Sequence, residues 1–236
     1  VVLGNPPYSA NSANKGRWII DLVHKSYYPD DEIKEHNPKF LLDDYVKFLR
    51  WGEWRISRTG KGIMAVITNH GYLENPTFRK MRKHLMENFN QIYIIDLHGS
   101  VKKRENEDSG LKDENVFDIQ QGVAIGIFIK NEESESVVRH AELWGTREIK
   151  YDMLINCHIG NVNWRDINTK PPFYLFSPND NSSLAEYEEY WKIINIFPKN
   201  STGVKTHRDH FVMDFDLDEL KIEKIIWFSF SLLLNP

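Results

Sequence analysis

Four apolar segments of the chain have the length and composition of strands. They lie at residues 1–5, 63–68, 91–97 and 123–129. The second is a continuous apolar run, which is typical of a buried parallel strand. The first strand must end at residue 5, because the two prolines that follow cannot continue a hydrogen-bonded ladder.

Segments with helical periodicity separate these strands. Apolar residues recur at helical spacing over residues 17–28 and 39–57. A third helix opens at Asn75-Pro76, since asparagine is a favoured N-cap and proline fits the first helical position. Its predicted buried stripe contains Phe78, Met81, Leu85 and Phe89, and its predicted solvent face contains Arg79, Lys80, Arg82 and Lys83. This order of elements predicts an α/β sheet with helices on both faces.

The pattern changes beyond Lys130. Predicted strands become short and irregular, and Pro171-Pro172 marks a loop. We therefore predict two domains, with residues 1–145 in the first and residues 146–236 in a second of mixed α+β type.

Composition narrows the class of protein. With 236 residues, 41% hydrophobic and 27% charged, the chain can bury a core. Cys157 is the one cysteine, which excludes a disulfide framework or a multi-cysteine zinc site and favours a cytoplasmic location. No metal site is predicted. The net charge of −4 excludes a uniformly basic nucleic-acid binder but permits a local basic face.

Neither end of the chain resembles a targeting or membrane segment. The sequence opens inside an apolar strand, without a secretory signal. The apolar run at 225–234 is about half as long as a bilayer span, so no membrane partner is predicted. We expect the sequence to be a fragment of a larger protein at both ends.

Asn5-Pro6-Pro7-Tyr8 is the most informative motif. It follows a strand, at the carboxyl edge where ligands bind in open α/β sheets. Its simplest interpretation is that two prolines end a strand. The motif also resembles the catalytic motif of amino-methyltransferases, above all the DNA N6-adenine methyltransferases.

This resemblance implies a role for each residue of the motif. The Asn5 side-chain oxygen and the Pro6 carbonyl would accept hydrogen bonds from the adenine amine, which frees its lone pair to attack the methyl group of S-adenosylmethionine. Pro7 would stiffen the loop. Tyr8 would stack on a base rotated out of the duplex.

A second segment extends the resemblance. Residues 115–118, ahead of the 123–129 strand, resemble the late motif whose aromatic ring packs on the flipped adenine, which would make Phe117 the second wall of the base pocket. An ordinary core phenylalanine at a strand start is the alternative.

Four further segments carry a more specific resemblance: residues 5–17, 42–50, 171–180 and 196–209. Through them the chain resembles the junction between methyltransferase and target-recognition domains in large single-polypeptide, Type ISP-like restriction-modification enzymes. Residues 1–145 would then be the C-terminal half of a Rossmann-like methyltransferase sheet, and residues 146–236 the start of a target-recognition domain. The glycine-rich cofactor turn of the family is absent here and would lie upstream, so its cofactor-binding residues are unknown and the isolated fragment is expected to be inactive. The partners that the resemblance implies are double-stranded DNA and N-terminal modules of the same polypeptide, a nuclease and a helicase-like motor.

Four cations are candidates for contacts with DNA phosphates: Lys15, Arg17, Lys205 and Arg208. Solvated surface charge is the alternative. Two other functions stay open at this point. The same amine chemistry could act on RNA adenine, cytosine N4 or a protein glutamine, or the chain could be a non-catalytic DNA-binding or specificity fragment.

Overall fold

The computed structural model describes residues 1–8, 12–28, 38–100, 113–131, 136–178, 186, 189–199, 216, 218 and 221. Backbone contacts divide the chain into two compact units, Val1–Asn179 and Asp180–Pro236. The first unit extends past residue 145. The division into a catalytic and a recognition domain stays a prediction, because backbone contacts do not show the function of either part.

A six-stranded mixed sheet forms the centre of the first unit. Its strands are β1 (Val2–Gly4), β2 (Gly62–Asn69), β3 (Gln91–Asp96), β4 (Val123–Lys130), β5 (Val137–Glu142) and β6 (Arg165–Asp166). Their order in the sheet is β1-β2-β4-β3-β5-β6. The β1·β2 and β3·β5 pairs are parallel, and β4 runs antiparallel to both β2 and β3. All four strands predicted from apolar runs are therefore present.

Four longer helices pack around this sheet. They are α1 (Arg17–Tyr27), α2 (Asp44–Thr59), α3 (Arg79–Asn88) and α4 (Arg147–Asn156). The second unit contributes the short helix α5 (Ile193–Ile196). The Asn75 side chain accepts a hydrogen bond from the Thr77 amide at 2.9 Å, as predicted for an N-cap, although one 3-10 turn precedes α3. Within the described residues, no helix is long and apolar enough to cross a membrane.

Two hydrophobic clusters lie on opposite faces of the sheet. Ile94 belongs to the larger cluster, with α1, α2 and α3, whereas Ile95 belongs to the smaller one. Adjacent strand residues point to opposite faces, so the two clusters are separated by the sheet. Leu154 of α4 packs against the smaller cluster. The predicted α/β sheet is confirmed, with helices on both faces.

The predicted solvent face of α3 is wrong at two positions. Arg79 and Arg82 are both buried. Arg82 lies one turn after Phe78, so it falls on the buried stripe itself. Its guanidinium donates to the carbonyl oxygens of Tyr72 at 2.6 Å and Phe173 at 2.6 Å, and burial lowers its pKa to about 9. A buried arginine is tolerated here because carbonyl oxygens accept its protons.

Candidate active site

The loop Asn5-Pro6-Pro7-Tyr8 leaves the sheet directly after β1. Asn5 and Pro7 are exposed, Pro6 is buried, and Tyr8 is partly buried. Proline fixes φ and has no amide proton, so two consecutive prolines leave this turn little conformational freedom. The loop therefore presents Asn5 at the edge of the sheet while Pro6 anchors it.

The Tyr8 hydroxyl lies within hydrogen-bonding distance of two acceptors. These are the Asn5 side-chain oxygen at 3.1 Å and the Ile67 carbonyl oxygen at 3.2 Å. Burial raises the pKa of Tyr8 to about 12, so the hydroxyl keeps its proton at neutral pH and donates it. The Tyr8 ring meets Tyr45 edge to face at 6.4 Å. An amide oxygen has two lone pairs, so Asn5 can accept a second hydrogen bond.

Phe117 lies beside the same small core as Tyr8. Both rings are partly buried and pack against the cluster of Ile95, Leu97, Val116, Val123 and Leu143. The structure thus places both aromatic residues that the sequence assigns to one pocket against the same cluster. The role of each ring stays a prediction.

Asn115 fixes the backbone before Phe117. Its side-chain oxygen accepts from the Phe117 amide at 2.8 Å, and its side-chain nitrogen donates to the carbonyl oxygens of Gly99 at 3.0 Å and Gln121 at 2.7 Å. Gly99 has φ +81°, and a Cβ there would lie 2.5 Å from the Asn115 Cα. Glycine permits both the left-handed backbone and this close approach.

Helix α4 holds the same segment through a buried ion pair. Lys150 Nζ lies 2.7 Å from Asp113 Oδ1, and both side chains are fully buried. The ammonium also donates to the carbonyl oxygens of Leu97 at 2.7 Å and Glu114 at 2.6 Å. Three acceptors match the three protons of a lysine ammonium, so the charge is fully hydrogen-bonded.

Two other side chains of α4 reinforce this contact. The Arg147 guanidinium donates to the Asn115 carbonyl oxygen at 2.9 Å, and the Tyr151 hydroxyl donates to the Val116 carbonyl oxygen at 2.6 Å. No sequence motif predicts a function for Asp113, Asn115 or Lys150. Only Asn115 carried a signal, as a member of the segment that contains Phe117. Lys150 lies in a helix with weak amphipathic patterning, and Asp113 lies in a charged loop.

The predicted phosphate contacts lie on the surface where the structure describes them. Lys15 and Arg17 are exposed, and Arg17 forms an ion pair with Asp21 at 3.8 Å. Lys205 and Arg208 lie outside the described residues. An exposed i,i+4 pair is weak, so Arg17 retains most of its capacity for another anion.

Lys47 anchors the segment after the motif loop, a contact that no sequence pattern indicates. This buried lysine donates to the Ser12 hydroxyl and the Asn14 carbonyl oxygen, both at 2.6 Å. Lys15 and Arg17 follow directly, so their backbone is attached to α2 through Lys47.

One element expected for cofactor binding, a glycine-rich turn, is not found among the described residues. None of the described parallel strands is followed by a glycine-rich turn that opens a helix; the β1 strand leads instead into the two prolines. Within the described part of the chain, β1 pairs on one side only, with β2. The described residues therefore lack the glycine-rich element with which the family resembled by this sequence binds its cofactor.

Comparison with known proteins gives a consistent picture. Residues 1–102 match the Eco57I restriction-modification methylase family. No curated protein sequence matches the chain. The family match confirms the predicted resemblance to restriction-modification methyltransferases.

Three solved structures share the fold. A nuclease-deletion mutant of the Type ISP restriction-modification enzyme LlaGI, in complex with a DNA substrate mimic, is 24% identical over 78% of this chain and 18% of that chain, with a TM-score of 0.66. The DrdV–DNA complex is 23% identical over 96% and 24%, with a TM-score of 0.69. The ATP-dependent Type ISP enzyme LlaBIII bound to DNA is 23% identical over 93% and 16%, with a TM-score of 0.68. The chain thus spans a quarter or less of each of these proteins.

Proposed function

We propose that the chain is the base-binding part of a DNA methyltransferase in a restriction-modification system, which transfers a methyl group from S-adenosylmethionine to the N6 amine of adenine. The position of Asn5 carries this proposal. Its amide oxygen is exposed at the end of β1, receives one hydrogen bond from Tyr8, and has one lone pair left for a substrate amine. The family match over residues 1–102 supports the reaction class.

The proposed chemistry is the activation of a weak nucleophile. The lone pair of an adenine amine is delocalised into the ring. When Asn5 Oδ1 and the Pro6 carbonyl oxygen each accept one N–H, the nitrogen is drawn towards tetrahedral geometry and its lone pair becomes available. The rigid prolines keep both acceptors aimed at that position, so little reorganisation is needed during the reaction.

Tyr8 and Phe117 are the proposed walls of the base pocket. A base can be modified only after it leaves the duplex stack, and aromatic rings replace the lost stacking. Both rings lie beside one small core, partly exposed. We infer that the flipped adenine enters between them, with its amine towards Asn5.

S-adenosylmethionine would supply an electrophilic methyl group. The described residues lack the glycine-rich turn that would bind it, so we propose that another part of a longer polypeptide does so. The same polypeptide would also carry the nuclease and motor modules. The single-sided pairing of β1 supports this view, because an added strand could continue the sheet there. A cytoplasmic location is proposed as well, because the family match over residues 1–102 supports a role in restriction-modification.

Double-stranded DNA is the proposed partner. The three similar structures contain DNA or a DNA mimic, which supports this assignment by analogy of fold. Lys15 and Arg17 are the described candidates for phosphate contacts, and Lys205 and Arg208 remain candidates from the sequence. A target-recognition role for residues 146–236 is part of the same proposal.

A non-catalytic DNA-binding module is the second candidate. The observation in its favour is that the described residues lack the glycine-rich turn. Measurement of labelled methyl transfer from S-adenosylmethionine to unmethylated DNA separates the two candidates, when it is made with the full-length polypeptide that carries this sequence.

Asn5→Ala should lower the rate of methyl transfer by about 100- to 1000-fold, the usual effect of losing one transition-state hydrogen bond. DNA affinity should stay within about twofold, because a hydrogen bond that strengthens only in the transition state contributes little to binding before the reaction. Asn168→Ala, which changes an exposed asparagine, is the matched control. Retained turnover in Asn5→Ala would refute the acceptor role. Label on cytosine, or on RNA or protein offered in the same assay, would show that the substrate is not adenine in DNA. No transfer by the wild type would favour the non-catalytic module.

A further inference from the structure

A cluster of three buried ligand side chains lies at the carboxyl edge of the sheet. His70 follows β2, Asp96 ends β3, and His98 lies two residues beyond it. One potential ligand atom from each residue lies within 4.8 Å of the other two. Their exposed fractions are 8%, 7% and 7%. We propose that His70, Asp96 and His98 form a binding site for one divalent transition-metal ion of the zinc class.

The sheet is shaped so that His70 can reach Asp96. Strand β4 lies between β2 and β3, and the residue before it is Gly122. The His70 ring crosses over this glycine, where a Cβ would lie 2.3 Å from the imidazole. His70 Nδ1 thereby comes to 3.0 Å from Asp96 Oδ1 and 3.3 Å from Oδ2. Any larger residue at position 122 would close this passage.

His98 reaches the same carboxylate through an unusual turn. Its backbone has φ +51°, in the left-handed region, and its amide donates to Asp96 Oδ1 at 2.9 Å. A non-glycine residue keeps such a backbone only where its surroundings enforce it. The imidazole stacks on Trp144, with ring centroids 3.4 Å apart and planes 15° apart. The stacked ring places His98 Nδ1 3.8 Å from Asp96 Oδ2.

Glu142 provides an outer partner for His98. It pairs with Asp96 across β3 and β5, and its carboxylate lies 3.7 Å from His98 Nε2. A carboxylate on that side favours a proton on Nε2, which leaves Nδ1 as the lone-pair donor that faces Asp96. Metal-bound histidines commonly have such an acidic partner. The Glu142 side chain is 46% exposed, so this outer partner is itself in contact with solvent.

The donor set determines the class of metal. Two imidazole nitrogens and one carboxylate suit zinc and similar borderline cations, whereas magnesium and calcium prefer oxygen ligands. A bound ion would replace the proton that His70 shares with Asp96. It would also fix the turn at His98–Gly99, whose Gly99 carbonyl accepts from Asn115. The ion would therefore act as a structural clip that supports the Phe117 segment.

Zinc binding by the metal-free chain tests this proposal. The chelator-treated protein is titrated with ZnCl₂ in a calorimeter, and CoCl₂ serves as a second probe whose visible absorption reports on coordination. We expect one ion per chain, with no competition from MgCl₂. His70→Gln and His98→Gln should each weaken zinc affinity by at least about 100-fold, the upper range for loss of an outer partner. Glu142→Gln should weaken it by about 10- to 100-fold.

His158→Gln is the matched control, because His158 is exposed and adjoins Cys157, where adventitious zinc could bind. The zinc affinity of His158→Gln should equal that of the wild type. The proposal fails if the wild type binds no zinc or if His70→Gln and His98→Gln bind it as well as the wild type does. If either variant does not fold, nitrogen NMR of the wild type decides. Zinc should then shift Nδ1 of His70 and His98, and shifts confined to other histidines would overturn the assignment. None of these outcomes depends on methyl transfer.

Discussion

The two proposed walls of the base pocket are held in place by different means. The Asn5–Tyr8 loop is stiffened by its own two prolines and attached through one hydroxyl contact to Ile67. The Phe117 segment is held by Asn115 and by a buried lysine of α4, which reaches a carbonyl 36 residues away in sequence. The first wall thus depends mainly on its own two prolines, whereas the second depends mainly on tertiary contacts with α4. The second wall should therefore be far more sensitive to substitution.

Removal of the buried cation should have the largest effect. Lys150→Met leaves the Asp113 carboxylate buried without its partner, so the free energy of unfolding should fall by about 3–5 kcal/mol. Urea denaturation measures this loss. Lys170→Met, at an exposed position, is the matched control and should cost less than about 0.5 kcal/mol.

The double variant Asp113→Asn/Lys150→Met sharpens the same test. It removes both charges, so it should be more stable than Lys150→Met alone. A loss below about 1 kcal/mol in Lys150→Met would match a surface ion pair and would contradict the contrast between the two walls.

Loss of the Asn115 side chain should have an intermediate effect. Asn115→Ala leaves the Phe117 amide and two carbonyl oxygens without their partner, which should cost about 1–3 kcal/mol. Hydrogen exchange at the Phe117 amide should accelerate along with the fall in stability. Asn168→Ala serves again as the exposed control, and equal exchange in Asn115→Ala and wild type would exclude the bracing role.

The smallest effect is expected in the local wall. Tyr8→Phe removes one partly exposed hydroxyl, and the cost should be about 0.5–1.5 kcal/mol at neutral pH. Because the folded pKa of Tyr8 is about 12 and the ordinary value is 10.0, its contribution is fully present below pH 10 and is lost as the pH rises towards 12.

The stability difference between wild type and Tyr8→Phe should therefore shrink over that alkaline range. Denaturation curves at several pH values measure the difference, and the comparison cancels the titration of other tyrosines. A difference that grows above pH 10 would show that the Tyr8 phenol ionises more easily in the folded protein than in the unfolded chain.

The same division explains what the sequence could predict. The four main strands, the Asn75 cap and the Asn5-Pro6-Pro7-Tyr8 loop depend on residues close in sequence, and each was predicted. Arg82 lies on the buried stripe by spacing, but its charge predicts a solvent position, and the Phe173 carbonyl that accepts from it is distant in sequence. The Asp113–Lys150 pair and the His70–Asp96 contact across β4 likewise arise only when the sheet and helices assemble. Periodicity records which residues face a core but not which polar partners meet there.

The Arg82 contact also bears on the order of folding. Its guanidinium donates to a carbonyl that lies 91 residues later in the chain. Closing so long a loop carries an entropic cost that only later contacts offset. During synthesis, α3 leaves the ribosome well before Phe173 does, so the guanidinium protons that later bind Phe173 must remain hydrated in the interval. Complete burial of α3 is therefore expected to be a late event, which begins only when the segment after β6 arrives.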